Sequence, residues 1–172
     1  CSMFEDLLER LGAALDRVGI RYMIIGGQAV LVHGEPRLTR DIDVTLAVDT
    51  DRLSDVAAAM TGIGLKPLVD PESFTRKTMV LPCADSGSEI RVDLIFSYSP
   101  YERLAVERAH TIRIGGSDVR FASVEDLVIH KVLAGRPRDI EDVVGVMRRN
   151  PAADLASIRS VLAEFAVATG EP

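Results

Sequence analysis

Hydrophobic and polar positions along this chain recur in two periods, and the switches between them mark out its elements. Over residues 3–18, Phe4, Leu7, Leu8, Leu11, Leu15 and Val18 return at helical spacing, which predicts an amphipathic helix stopped by Gly19. YMIIGG reads as a short apolar strand running into two glycines, and QAVLVHG as a short helix closed by Gly34. EPRLTR is a loop, because Pro36 and the charges around it interrupt any pattern. DIDVTLAVD carries the clearest period of two: Ile42, Val44, Leu46 and Val48 point one way, and Asp41, Asp43, Thr45 and Ala47 the other. A helix is predicted over 51–62, with Leu53, Val56, Ala57 and Met60 inward. TRKTMVL is read as a strand, and the polar FTRK as the border of a site.

EIRVDLIF alternates again, with Val92, Leu94 and Phe96 on one face and Arg91, Asp93 and Ile95 on the other. YERLAVERA predicts a short helix, and TIRIGGSDVRF a hairpin turning at Gly115 and Gly116. SVEDLVIHKVLAG opens with Ser123 as an N-cap and Asp126 three residues on, a capping-box pattern, and ends at Gly135. PRDIEDVVGVMRRN is a helix with Pro137 in its first turn, and residues 154–168 form a last helix. This order predicts an α+β fold, with a central mixed sheet flanked by helices and a helical C-terminal part. One domain over residues 1–172 is expected, with a core at about 19–121 and a helical extension at about 122–170.

Composition narrows the class. The 172 residues are 47% hydrophobic and 27% charged, as in a soluble globular domain. No apolar run approaches the length of a spanning helix, and the first residues lack the basic and apolar regions of a signal peptide. Cys1 and Ser2, ahead of Met3, read as a processing remnant. Two cysteines, Cys1 and Cys83, are too few for a disulfide framework and lack zinc-ligand spacing, so a reducing cytoplasm is expected. The net charge of −6 argues against extended non-specific contact with nucleic acid. A local basic cleft stays open, since Arg37, Arg40, Arg76, Lys77, Arg91, Lys131, Arg136 and Arg138 all fall beside the motifs below.

Asp41 and Asp43 lie two apart on a strand, so their carboxylates share a face. Carboxylates that close repel, and one takes up a proton unless a cation lies between them. A hard divalent ion resolves the conflict, and magnesium binds through a few carboxylates, water and substrate phosphates. Two such ions can clamp the attacking and leaving oxygens of an in-line displacement at phosphorus. Asp93 is positioned to supply a third carboxylate from a neighbouring strand. Gly26 and Gly27 follow a strand and open a helix, so backbone N–H groups can cradle phosphate there, with Gln28 as a further donor.

IIGGQAV, thirteen residues between Gly27 and Asp41, DIDV, and the later RVDLIF resemble the signature of the DNA polymerase β-like nucleotidyltransferase superfamily. Gly27 stands where many members carry a Ser. RLTRDID and HKVLAGRPRDIEDV more specifically resemble AbiEii-type toxins and related minimal nucleotidyltransferases, the matching positions being Lys131, Arg136, Arg138, Asp139 and Asp142. The resemblance covers roughly residues 20–145. It implies transfer of a nucleoside monophosphate from a nucleoside triphosphate to an acceptor, with pyrophosphate released. Asp41, Asp43 and Asp93 would be catalytic and would hold two Mg2+ ions, or Mn2+ in their place. Gly26, Gly27, Gln28, Arg40 and Lys131 would bind nucleotide or phosphate, joined with less support by Arg37, Thr39 and Asp139. The acceptor stays open among a tRNA end, a protein and a small molecule, and an antitoxin protein is a further implied partner.

Plainer readings compete. Asp93 could pair only with Arg91, Asp139 could serve a helix N-terminus, and Arg37 and Arg40 could only neutralise acidic neighbours. Thr39 could cap or orient its loop. Of His130 and Lys131, adjacent in an otherwise apolar helix, one is expected to face inward. His33 and His130 lack metal-ligand spacing and read as structural, and Cys83 lacks a partner that would make it a nucleophile. For the whole chain the alternative is a non-catalytic relative that binds a nucleotide or a partner.

Overall fold

The computed structural model describes residues 2–35, 37–97 and 99–170, so what was expected of Cys1 and Pro36 falls outside it. Helix α1 (Met3–Arg17) starts where Ser2 accepts from the Glu5 amide and Glu5 reaches back to the Ser2 amide, a complete capping box. Its Leu7, Leu8, Leu11 and Leu15 are buried, and it packs on the sheet. Strand β1 (Tyr22–Ile25) leads directly into α2 (Gly26–His33), then come β2 (Asp41–Leu46), a single 3-10 turn (Thr50–Arg52) and α3 (Leu53–Gly62). The chain continues through β3 (Leu65–Pro67), α4 (Pro71–Thr78), β4 (Val80–Asp85), β5 (Arg91–Phe96) and α5 (Pro100–Glu107). A hairpin of β6 (His110–Ile114) and β7 (Ser117–Phe121) precedes α6 (Val124–Ala134), α7 (Pro137–Arg149) and α8 (Leu155–Thr169). Among the described residues no helix is long and apolar enough to cross a membrane.

The strands form one seven-stranded mixed sheet in the order β3-β4-β5-β2-β1-β7-β6. β2 runs parallel to β5 and β1 parallel to β7, and the other neighbours are antiparallel. Strand alternation puts Tyr22, Ile24, Ile42, Val44, Leu46, Val92, Leu94 and Phe96 on one side, all buried. The Tyr22 hydroxyl lies against Gly12 of α1, so that side carries the N-terminal helix. The other side presents Asp41, Asp43, Arg91 and Asp93 at one end and the buried Thr45 further along. The helical C-terminal part covers α2: α6 and α7 pack on it, and α8 packs on α6.

The fold is the mixed α/β architecture the sequence predicts, with local corrections. TRKT is the end of α4 and not a strand. Asp70 caps that helix by accepting from the Ser73 amide at 3.0 Å, and Pro71 occupies its first turn. Met79, with φ 62°, ends the helix in the left-handed region, and the strand begins only at Val80. The β2 strand stops at Leu46, short of the predicted Asp49. At α6, Ser123 accepts from the Asp126 amide as expected, but the Asp126 carboxylate does not reach back to complete a capping box. It takes Tyr101 Oη at 2.9 Å, Ser123 Oγ at 2.8 Å and the Arg108 guanidinium at 2.8 Å. Three donors outweigh one backbone amide for a carboxylate that is 1% exposed.

Candidate active site

The turn between β1 and α2 is built around two glycines for different reasons. Gly26 has φ +67°, and a Cβ there would lie 2.5 Å from Asp43 Oδ2, so the Asp43 carboxylate sits directly over it. At Gly27 a Cβ would lie 2.6 Å from Thr39 Cγ2 and 3.3 Å from Arg37 Nη2. The Thr39 methyl therefore fills the space that a serine side chain would need, which is why this position carries Gly. Gln28 is 5% exposed and donates from Nε2 to Thr39 Oγ1 at 2.7 Å, pinning the 37–40 loop over the turn. One N–H of that amide is thus engaged by Thr39, and Gln28 sits behind the residues that line the cleft.

The sheet assembles the acidic face. Parallel pairing sets Asp43 opposite Asp93 and Asp41 opposite Arg91. Because the strands are in register, the three aspartates share one side of the sheet. Burial, then the charges of Asp93 and Asp41, push the Asp43 carboxyl up to about 6. Arg91 Nε donates to Asp93 Oδ1 at 3.0 Å, so the ion pair weighed for Asp93 is present. As they stand, no three acidic, His or Cys side chains among the described residues close around a point an ion could occupy. The Asp93 carboxylate is turned toward Arg91.

Helices α6 and α7 supply the opposite wall. Lys131, 7% exposed, lies 3.1 Å from Asp139 Oδ1 and 2.9 Å from Asp142 Oδ2. Asp142 also faces Arg37, whose Nη2 donates to Oδ2 at 3.1 Å and whose Nε lies 2.9 Å from Oδ1, off line for a hydrogen bond. Asp139 accepts from the Arg136 amide at 3.2 Å and from Arg136 Nε at 2.6 Å, so it caps α7 as well as pairing Lys131. Burial works against the Asp139 carboxylate, but the hydrogen bonds from Arg136 and Lys131 hold it down at about 2. Three cations and two anions alternate through this chain and leave one positive charge over. Arg40 and Arg138, with no hydrogen-bond or ion-pair partner among the described residues, add two more at the mouth.

Between the walls lies a cleft of ≈ 450 Å³. Of the residues singled out in the sequence, Gly26, Gly27, Arg37, Thr39, Arg40, Asp41, Asp43, Lys131 and Asp139 all line it. Gln28 lies behind the lining and Asp93 beside it, one strand over from Asp43. Arg76 and Lys77 do not line it: they belong to α4, where Arg76 pairs with Glu72 at 3.0 Å. The cleft also holds Arg136 and Arg138, named in the sequence for a basic cleft and as family matches, and Leu38, which had not been singled out. Asp142, which ties Arg37 to Lys131, was singled out only by its match to the resembled family. The RPRDIED spacing held the signal, since Arg136, Asp139 and Asp142 fall three apart on one helix face. Both members of the His130–Lys131 pair face inward: His130 joins the Asp126 carbonyl at 2.8 Å and Glu102 at 3.1 Å. His33 lies 2.8 Å from the Ala122 carbonyl, a structural contact. Burial raises the Cys83 thiol to about 12, so it is no nucleophile at neutral pH.

A mixed sheet with a glycine turn opening a helix beside paired acidic strands defines the class: this is a nucleotidyltransferase fold. The family model described as "Nucleotidyltransferase of unknown function (DUF6036)" matches residues 2–150, and the chain belongs to that family. Among curated proteins none matches the chain. Solved structures agree on the fold. The antibiotic-resistance factor ANT(2")-Ia, in complex with adenylyl-2"-tobramycin, is 17% identical with a TM-score of 0.66, over 98% of this chain and 99% of that one. An antigenic nucleotidyltransferase-like protein from Paracoccidioides brasiliensis is 18% identical with a TM-score of 0.62, over 94% of this chain and 86% of that one. The lincosamide antibiotic adenylyltransferase LnuA, lincomycin-bound, is 15% identical with a TM-score of 0.56, over 84% and 96%. The protein is thus a member of a nucleotidyltransferase family.

Proposed function

We propose that this nucleotidyltransferase moves a nucleoside monophosphate from a triphosphate bound in the cleft onto an acceptor hydroxyl, with Asp41, Asp43 and Asp93 holding magnesium. The observation that carries the reading is the seat of Asp43: a carboxylate pressed over the Gly26 turn, facing a wall of surplus positive charge across one cleft. The donor set suits a hard divalent cation. All the candidate ligands are carboxylate oxygens, they share one side of the sheet, and burial together with their mutual repulsion raises Asp43. Two Mg2+ ions, or Mn2+, would be held by these three residues, supplying charge neutralisation at the α-phosphate and at the leaving oxygen.

The chain's own groups do the rest. The amides at the start of α2 receive phosphate oxygens, as an open helix N-terminus does. Arg40, Arg136 and Arg138 at the mouth take the charge of the β- and γ-phosphates. Lys131 works through Asp142 and Asp139 as the bolt of that wall and keeps Arg37 against the Gly27 turn. The acceptor oxygen bonds to the α-phosphorus while the bond to the bridging oxygen breaks and pyrophosphate leaves. The acceptor proton passes to a carboxylate oxygen of Asp93 or Asp43.

The test is incubation with each labelled triphosphate, Mg2+ and three acceptor classes: a tRNA end, protein hydroxyls, and small molecules such as antibiotics. Label transferred by the wild type and lost in Asp43→Asn supports the reading. Full transfer by Asp43→Asn refutes it. Nucleotide binding without any transfer favours the alternative, a binding relative that lacks chemistry. Growth arrest on expression, relieved by the product of a neighbouring gene, would add a toxin role with an antitoxin partner.

A further inference from the structure

We propose that Arg91 is a resident counter-ion of the acidic face and sets how tightly that face takes a divalent cation. The inference rests on the reading of Asp41, Asp43 and Asp93 as cation ligands. Strand pairing sets Asp41 beside Arg91 and Asp43 beside Asp93, so three negative charges and one positive form a two-by-two patch on one side of the sheet. Arg91 Nε donates to Asp93 Oδ1 at 3.0 Å and to no other carboxylate among the described residues. A carboxylate oxygen already engaged by a guanidinium offers fewer lone-pair directions to an ion.

Exposure shows which partner can leave. The Asp93 side chain is 19% exposed and that of Arg91 51%. The guanidinium can swing into water without disturbing packing, because β5 is anchored on its other side by Val92, Leu94 and Phe96. The carboxylate cannot follow. Arg91 and a divalent ion therefore compete for Asp93, and the competition holds down affinity for the free ion. An ion that arrives with a triphosphate brings phosphate ligands of its own and displaces Arg91; a bare ion does so poorly. Arg40 is the natural control, since it is a second cation beside the acidic strands that bonds to none of the three aspartates.

The experiment is Mn2+ binding to the whole protein without nucleotide, read from the loss of the free-ion electron paramagnetic resonance signal. Arg91→Ala should tighten Mn2+ by about fivefold, the scale of a partly exposed ion pair. Arg40→Ala should change it by less than about twofold, as screened charge does. In an Asp93→Asn background the Arg91→Ala gain should vanish. Binding detectable only once Arg91 is removed would also support the inference. Equal gains in Arg91→Ala and Arg40→Ala, a gain that survives Asp93→Asn, or unchanged or weaker binding in Arg91→Ala would each overturn it. No Mn2+ bound by wild type or Arg91→Ala would sink the cation-site reading itself, a different failure. Thermal unfolding without metal checks each variant, and Arg91→Gln replaces any alanine variant that does not fold.

Discussion

The strand wall and the helix wall of the cleft bury charge in opposite ways. On β2 and β5 like charges are brought together: Asp41, Asp43 and Asp93 share a side of the sheet, and among the described residues only Asp93 has a hydrogen-bonded cation. On α6 and α7 every buried charge has an opposite neighbour: Lys131 lies between Asp139 and Asp142, and those two are claimed by Arg136 and Arg37. Burial raises both carboxyls, but like charges add to it at Asp43, which reaches about 6, whereas hydrogen bonds from Arg136 and Lys131 overcome it at Asp139, which falls to about 2. The helix wall is complete as folded, whereas the strand wall is balanced only when something positive is added. A charge removed from the first breaks a network; a charge removed from the second relieves a repulsion.

The comparison gives a ranked set of expectations. Asp43→Asn should lower turnover by about 10³-fold or more, as loss of a central catalytic group does, without lowering stability. Measuring transfer and thermal unfolding on the same sample checks both halves. A variant that loses activity by unfolding would erase the contrast between the walls. Lys131→Met should do the reverse to the fold. It leaves two carboxylates, 1% and 7% exposed, without their shared cation, and should cost about 3 kcal/mol in denaturant unfolding. A cost below about 0.5 kcal/mol, the ordinary surface value, would show that the network does not hold the wall.

Acid should act on the helix wall through Asp139. Its folded value lies below the unfolded one, so its contribution is fully present above about pH 4 and is lost as the pH falls through about 2. Allowing for the exposure of Arg136, the contribution should be about 1–2 kcal/mol. In Asp139→Asn the fall in stability between about pH 4 and 2 should flatten by that amount. An unchanged slope would remove Asp139 from the account. The smallest effect belongs to the mouth: Arg138→Ala should raise KM for the triphosphate about fivefold with kcat held, since it removes one exposed charge from binding and none from chemistry. A kcat effect as large as the KM effect would bring Arg138 into the reacting centre.

Much of this was legible along the chain. Period-two runs place Asp41, Asp43 and Asp93 on polar faces of apolar strands, and the Gly26–Gly27 turn announces a strand-to-helix junction. Harder to read were short elements whose signals overlap. The α4 helix is polar and only eight residues long, so the apolar MVL after it drew the strand reading backward, although Asp70-Pro71 and Ser73 spelled a capped start. Asp126 shows the same limit, since its capping pattern was real but its carboxylate had stronger donors waiting on α5 and in the turn after it.

By itself the sequence determined the elements, the glycine turn and which residue types face each side of the strands, because period and backbone conformation are local properties. Only the tertiary structure decided that β2 and β5 run parallel in register, which makes Asp43 and Asp93 neighbours across some fifty residues of chain. It also decided that Lys131 is bolted between two carboxylates and that Thr39 closes over Gly27. Charges and methyl groups find such partners through space, and no spacing along the chain encodes the distance between side chains that meet only when the helices dock.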